Sequence, residues 1–157
     1  MALLVLDEWL WSDASGENGT DRQHETLEFI LAIYEICDRV VVVRGSRFEE
    51  KANGFWRHTD TARRQFARFF QDSILYNSAK AELVGTDQLA ALPESLVQET
   101  QPEDRYLVQA HLAFPRSTVI TTDTGLKSAL DHHCLPCKHR DAFVSDYLSA
   151  YRKRKNP

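Results

Sequence analysis

Short runs of consecutive apolar residues constrain the fold of this chain more than any other feature. Leu3–Leu6 and the four valines at residues 40–43 have the length and composition of strands buried on both faces. Residues 117–122 are a third, less apolar run that is also predicted to be a strand. Between the runs, apolar residues recur at helical spacing, as at residues 24–37 and 61–74. This alternation predicts a single-domain three-layer α/β/α fold with a central parallel sheet.

The rest of the chain is assigned from local composition. Residues 9–21 are rich in Ser, Gly, Asn and Asp and are expected to form a loop, whereas residues 77–101 should hold a short strand and a short helix. Thr100 and Glu103 resemble a capping box before a helix that starts at Asp104. Further predictions are helices at 124–130 and 143–152, a strand ending within 139–142, one domain spanning 1–152, and a basic tail at 153–157.

Composition excludes several classes of protein. The 157 residues suffice for one domain with a core, and the net charge of −4 argues against a simple basic nucleic-acid-binding module. No apolar run approaches the ~20 residues that span a bilayer, so no membrane association is expected. The three cysteines are an odd number and do not suggest a disulfide framework, which favours a reducing, cytoplasmic setting.

Acidic residues stand where predicted strands end or a predicted helix begins. Asp7 ends the first apolar run, Asp104 opens a helix, and Asp123 ends the third run, 19 positions after Asp104. Each alone fits an ordinary helix cap or loop residue. In a right-handed parallel α/β unit, however, all three can face the same edge of the sheet. Carboxylates gathered there would form a site for a divalent metal ion.

The order of these motifs resembles that of the PIN-domain nucleases over most of the chain. In that family an acid ends the first strand, as Asp7 does, and another opens a helix with a later alanine, as in residues 104–110. A further acid closes a strand as Thr-Thr-Asp before a leucine, as Asp123 does. The second acid of the family follows the second strand, where this chain has Glu49 and Glu50. We favour Glu50, which stands two positions after a phenylalanine.

The resemblance implies a metal-dependent endoribonuclease of the toxin or defence type. Asp7, Asp104 and Asp123 would hold Mg²⁺ or Mn²⁺, directly or through water, and Glu50 would orient a metal-bound water or complete a second site. Thr121 or Thr122 would hold a carboxylate through its hydroxyl. The implied partners are RNA and an inhibitory protein or a second copy of the chain. The alternative is a catalytically weak PIN-like protein that binds RNA or protein as a regulatory subunit.

Basic residues around such a site would bind phosphate. Arg64 and Arg68 lie four apart on one predicted helix, and Lys127 follows Asp123, so these three are the candidates for RNA binding. The chain departs from the family after Asp7, where residues 8–11 read Glu-Trp-Leu-Trp. Glu8 is therefore a candidate to add or replace a ligand, and the tryptophans suggest a covered or partner-binding surface near the site.

A second cluster of metal-ligating residue types lies near the C-terminus. Cys134 and Cys137 have the C-x-x-C spacing, and zinc could bind them with His139 and one of His132 or His133. Structural zinc sites generally draw two pairs of ligands from separated segments, whereas these residues are all local. We therefore predict that this turn is ordinary structure.

Overall fold

The computed structural model describes residues 1–156 and contains a five-stranded sheet in which every strand pair is parallel. The strand order is β3-β2-β1-β4-β5, so β1 lies at the centre. The predicted α/β class and parallel sheet are confirmed. The strands are β1 (Leu3–Leu6), β2 (Arg39–Val43), β3 (Ala81–Val84), β4 (Ser117–Thr121) and β5 (Cys137–His139).

Helices precede or follow each strand along the chain. A π-helical turn (Gln71–Leu75) continues the fourth helix, and short 3₁₀ turns occupy Thr86–Gln88 and Pro102–Asp104. The last helix passes through residue 152, so residues 153–155 are helical. No helix within residues 1–156 is long and apolar enough to cross a membrane. The helices are α1 (Trp9–Ala14), α2 (Thr20–Glu35), α3 (Arg47–Trp56), α4 (Thr61–Phe70), α5 (Glu94–Glu99), α6 (Arg105–Ala113), α7 (Thr124–His132) and α8 (Arg140–Lys155).

Side-chain alternation along the strands builds a core on each face of the sheet. Leu4 and Leu6 of β1 pack into one core with residues of α1, α2, α3, α4 and α8. Val5, between them, packs into a second core with residues of α5, α6 and α7. This arrangement follows from the two-residue period of a strand. The predicted three-layer architecture is therefore confirmed.

The segment directly after β1 is helical at residues 9–14, which corrects the prediction of a loop over residues 9–21, and only residues 15–19 connect α1 to α2 without helix. Trp9 and Trp11 lie in α1 and are 4% and 1% exposed. The ring of Trp11 contacts four phenylalanines: Phe48, Phe55, Phe66 and Phe70. Burial of these large rings outweighs the polar composition of the segment. The tryptophans consequently belong to the core, so of the two predicted alternatives the covered surface near the site agrees with the structure and the partner-binding surface does not.

The order of the strands creates a switch point beside β1. The chain leaves β1 for β2 on one side and later returns to the other side of β1 as β4. Ligands of open α/β sheets bind at such points, outside the carboxyl ends of the strands. Asp7 follows the last residue of β1, and Asp123 follows β4 by two positions. Two of the predicted site residues therefore stand at the switch point.

Candidate acidic site at the switch point of the sheet

An open cleft of about 700 Å³ lies at the carboxyl edge of the sheet. Its volume is in the range of small-molecule and cofactor sites. All three predicted aspartates line it, together with two glutamates and three basic residues. The lining residues are Asp7, Glu8, Trp9, Ser12, Asn18, Arg22, Arg47, Lys51, Glu103, Asp104, Thr122 and Asp123.

Asp7 is the most deeply buried acid of the cleft. One carboxylate oxygen accepts a hydrogen bond from the Thr121 hydroxyl at 2.6 Å, and the other accepts from the backbone N–H of Glu8 at 2.5 Å. Burial nevertheless raises the pKa of Asp7, and the charges of Glu8 and Asp123 raise it further. The expected role of Thr121 in holding a carboxylate is confirmed.

Asp104 is held differently. It occupies the N-cap position of α6, but its side chain makes no capping hydrogen bond, and no side-chain capping bond forms at Gln101 either. The carboxylate is therefore not consumed by helix capping. Burial raises its pKa to about 6, and the charges of Asp7 and Asp123 add to this shift. The carboxylate of Asp104 therefore interacts electrostatically with both other aspartates of the cleft.

Asp123 combines a structural and an electrostatic role. One carboxylate oxygen accepts from the backbone N–H of Leu126 at 2.8 Å and caps α7. The backbone N–H of Asp123 donates to the Thr121 oxygen at 2.9 Å. Thr121 therefore connects Asp7 to Asp123, so that one hydroxyl fixes the acids at the ends of two neighbouring strands.

Glu50 does not join these acids, which corrects its predicted place in the site. It lines a neighbouring depression with Trp11, Gly54 and Phe55. Glu49 is used locally, since its carboxylate accepts from the Gly45 backbone N–H at 2.7 Å at the start of α3. The side chains of α3 that reach the cleft are Arg47 and Lys51, one turn apart. The glutamates that line the cleft are instead Glu8 and Glu103.

Glu8 lies between two cations. Its carboxylate is 3.1 Å from Arg47 Nε and 3.4 Å from Lys51 Nζ. Arg22 is the third basic residue of the cleft and forms an ion pair of 2.9 Å with Asp141. These cations were missed from the sequence. The available signal was the i, i+4 spacing of Arg47 and Lys51 directly after β2, where a helix must start at the carboxyl edge.

The predicted RNA-binding residues lie outside the cleft. Arg64 and Arg68 border a separate depression together with Trp56. Arg68 pairs with Asp72 at 3.6 Å, and Lys127 pairs with Asp131 along α7. These three residues were predicted from the spacing along their own helices. That spacing does not show which face of a helix is turned toward the acidic residues.

Tyr106 adds a polar atom that no sequence pattern indicated. Its hydroxyl is fully buried and has no hydrogen-bond partner within residues 1–156. Burial raises the pKa of Tyr106, and the charges of Asp7, Glu8 and Asp104 contribute. The Tyr106 hydroxyl is therefore close enough to the acidic residues for their charges to affect its pKa, and its O–H donor is unpaired within residues 1–156.

The oxygen donors of the cleft fit a hard divalent cation. The carboxylate oxygens of the three aspartates do not all lie within 4.8 Å of one another. Among residues 1–156, a group that meets this limit is found outside the cleft. Mg²⁺ usually keeps several waters and takes only one or two carboxylates directly. Asp7, Asp104 and Asp123 could therefore hold such an ion partly through water, and its charge would offset their repulsion.

The raised pKa of Asp104 predicts how stability depends on pH. The folded state binds the Asp104 proton more tightly than the unfolded state, so the contribution of Asp104 to the free energy of unfolding falls as pH rises from 3.8 to about 6 and is constant above that. Asp104→Asn should remove this decrease and stabilise the metal-free protein above pH 6 by about 1 kcal/mol, allowing for the partial exposure of the group.

Urea unfolding of both proteins below pH 3.8 and above pH 6 measures this difference. The matched control is Asp146→Asn, because Asp146 is an exposed acid on α8. Equal stability changes for Asp104→Asn at both pH values would contradict the prediction.

Comparisons with models of protein families, with curated proteins and with solved structures found no match to this chain. The assignment of the site therefore depends on its own geometry and electrostatics.

Proposed function

We propose that this protein is a metal-dependent ribonuclease that hydrolyses phosphodiester bonds at the acidic cleft. The observation that carries the proposal is the convergence of Asp7, Asp104 and Asp123 at the switch point of the sheet. The pKa values of Asp7 and Asp104 are raised, and the cause of both shifts includes the neighbouring acids. Titratable groups perturbed in this way inside a cleft are characteristic of functional sites.

The acids and their supports have distinct tasks in this proposal. Asp7, Asp104 and Asp123 hold Mg²⁺ or Mn²⁺, and Thr121 keeps two of them in place through its hydroxyl. When bound, such an ion lowers the pKa of a water and stabilises charge that develops on phosphate oxygens.

The basic residues of the cleft give the proposal its substrate class. Arg22, Arg47 and Lys51 line the same cavity as the acids and can bind the phosphates that flank the reacting bond. Arg47 and Lys51 are already paired with Glu8, so a phosphate would compete with that carboxylate. The preference for RNA over DNA comes from the resemblance to PIN-domain nucleases.

A regulatory protein that binds RNA or protein without cutting is the second candidate function. Two observations favour this function: the aspartates are widely spaced, and the charge of Glu8 is offset by Arg47 and Lys51. Both weaken the electrostatic attraction of the cleft for a metal ion. The two functions differ in one measurable respect. A nuclease must turn over a phosphodiester bond when metal is present, whereas a regulatory subunit only binds.

Removal of the metal tests the proposal. Purified protein should cut an end-labelled single-stranded RNA in the presence of Mg²⁺ or Mn²⁺, and EDTA should stop the reaction because the carboxylates alone cannot activate water. Excess Mg²⁺ added after the chelator should restore cutting, and a DNA of the same sequence measures sugar specificity.

Cutting that persists unchanged in EDTA would contradict a metal-dependent mechanism. If the protein binds the RNA but never cuts it in either metal, the non-catalytic function is correct instead.

A further inference from the structure

A second cluster of metal-ligating side chains lies outside the acidic cleft. Glu99 ends α5, His132 ends α7, and His133 caps the C-terminus of α7. One ligand atom from each residue lies within 4.8 Å of the other two, and none of these residues lines the cleft. We propose that Glu99, His132 and His133 form a zinc-binding site that ties α5 to α7.

The distances between the ligand atoms match zinc coordination. Oε1 of Glu99 is 3.2 Å from Nδ1 of His132 and 3.3 Å from Nε2 of His133. Zinc bonds of about 2.0–2.1 Å in a tetrahedral site place two ligand atoms about 3.3 Å apart. A single carboxylate oxygen therefore stands at the right separation from both imidazole nitrogens.

The donor types are those of zinc rather than of magnesium. Two imidazoles and one carboxylate form a known three-ligand set that leaves a fourth position for water or another group. Imidazole suits zinc and the late first-row metals, whereas Mg²⁺ prefers oxygen ligands. His132 is largely exposed, with 73% of its side chain accessible, so an ion can enter from solvent.

The backbone at the end of α7 is fixed in a way that positions both histidines. Cys134 adopts a left-handed conformation with φ of 54°, and the Leu135 N–H donates to the Leu130 carbonyl at 2.9 Å. This is a Schellman termination, which holds the last turn of the helix. The last carbonyls of a helix also carry partial negative charge that favours a nearby cation.

The ligands come from separated segments, which the sequence alone did not reveal. Glu99 is 33 residues from His132 in the chain, and the packing of α5 against α7 brings them together. Cys134 and Cys137 are not part of the cluster among the described residues. Burial raises the pKa of the Cys137 thiol to about 12, so Cys137 is a protonated thiol in the metal-free protein.

Zinc titration by calorimetry tests the site, with excess Mg²⁺ present so that the oxygen donors of the acidic cleft are occupied. The wild-type protein should bind one zinc ion, and its thermal midpoint should rise. Glu99→Gln, His132→Ala and His133→Ala should each weaken binding by about tenfold or more, since even the loss of an outer partner of a ligand costs that much. Circular dichroism checks that each variant is folded.

The matched control is His24→Ala, because His24 is an exposed histidine on α2. It should leave zinc affinity unchanged, and so should Cys134→Ala. A simple Glu99–histidine ion pair would give the same short contacts without binding zinc. The proposal is overturned if the wild type binds no zinc, if binding survives in the His132→Ala and His133→Ala double variant, or if only the cysteine substitution removes it.

Discussion

Asp104→Asn is expected to reduce metal-dependent cutting of RNA by about a hundredfold or more. A catalytic metal supplies several kcal/mol of stabilisation to the transition state, and each 1.4 kcal/mol corresponds to a factor of ten in rate. Asparagine keeps the size of the side chain but removes the charge. Because the Asp104 carboxylate makes no capping hydrogen bond, the helix loses no structural contact. The readout is the single-turnover rate at saturating Mg²⁺.

The other two aspartates should behave in the same way with different side effects. Asp123→Asn preserves a capping oxygen for the Leu126 N–H, since asparagine is an equally good N-cap. Asp7→Asn retains only one oxygen for two hydrogen bonds and should also lower stability.

Two controls make the prediction specific. Asp146→Asn and Glu50→Gln should cut at the wild-type rate, because neither residue lines the cleft. A rate for Asp104→Asn within a few-fold of wild type would remove Asp104 from the mechanism. Undiminished cutting by the triple aspartate variant would reveal a contaminating ribonuclease.

The fold could be predicted where one signal dominated. Leu3–Leu6 and residues 40–43 are apolar without interruption, and only a strand buried on both faces accounts for them. Over residues 9–21, two signals conflicted: polar turn-forming residues surround two tryptophans and a leucine. The burial of Trp9 and Trp11 in α1 depends on partners more than 15 residues away, such as Phe29 and Phe48, which local composition cannot show.

The residues of the candidate sites also separate into those that the sequence predicts and those that it does not. Asp7 and Asp123 were predictable because parallel strands bring their carboxyl ends to one edge, and Asp104 because a helix that leads back into such a strand can start at that edge. Glu8 was a candidate because it follows Asp7 directly, whereas Arg47 was not assigned, since its place depends on the rotation of α3 about its axis. Glu99 and His133 required the packing of two helices from distant parts of the chain.

Arg140→Met is expected to destabilise the fold by about 3–5 kcal/mol, the cost of leaving a buried charge without its partner. Arg140 is 2% exposed, and its Nε lies 2.9 Å from an oxygen of Asp13, which is fully buried. Its guanidinium also donates to Thr26 at 3.2 Å and lies over the ring of Trp9 at 5.3 Å. One side chain at the start of α8 therefore joins α1 and α2.

The same contact supports the acidic cleft. Asp13 accepts a hydrogen bond from Asn18 at 2.7 Å, and both Asn18 and Trp9 line the cleft. Loss of Arg140 should therefore reduce RNA cutting in addition to stability, even though Arg140 is not among the residues that line the cleft.

Arg152→Met is the matched control, because Arg152 is on the same helix and pairs with Glu28 of α2, but is 59% exposed. An exposed pair of this kind contributes at most about 1 kcal/mol. Urea unfolding followed by tryptophan fluorescence compares the two variants. Adding Asp13→Asn to Arg140→Met should recover much of the loss, since no unpaired charge then remains at Asp13. If Arg140→Met costs no more than Arg152→Met, the buried pair does not hold the three helices together.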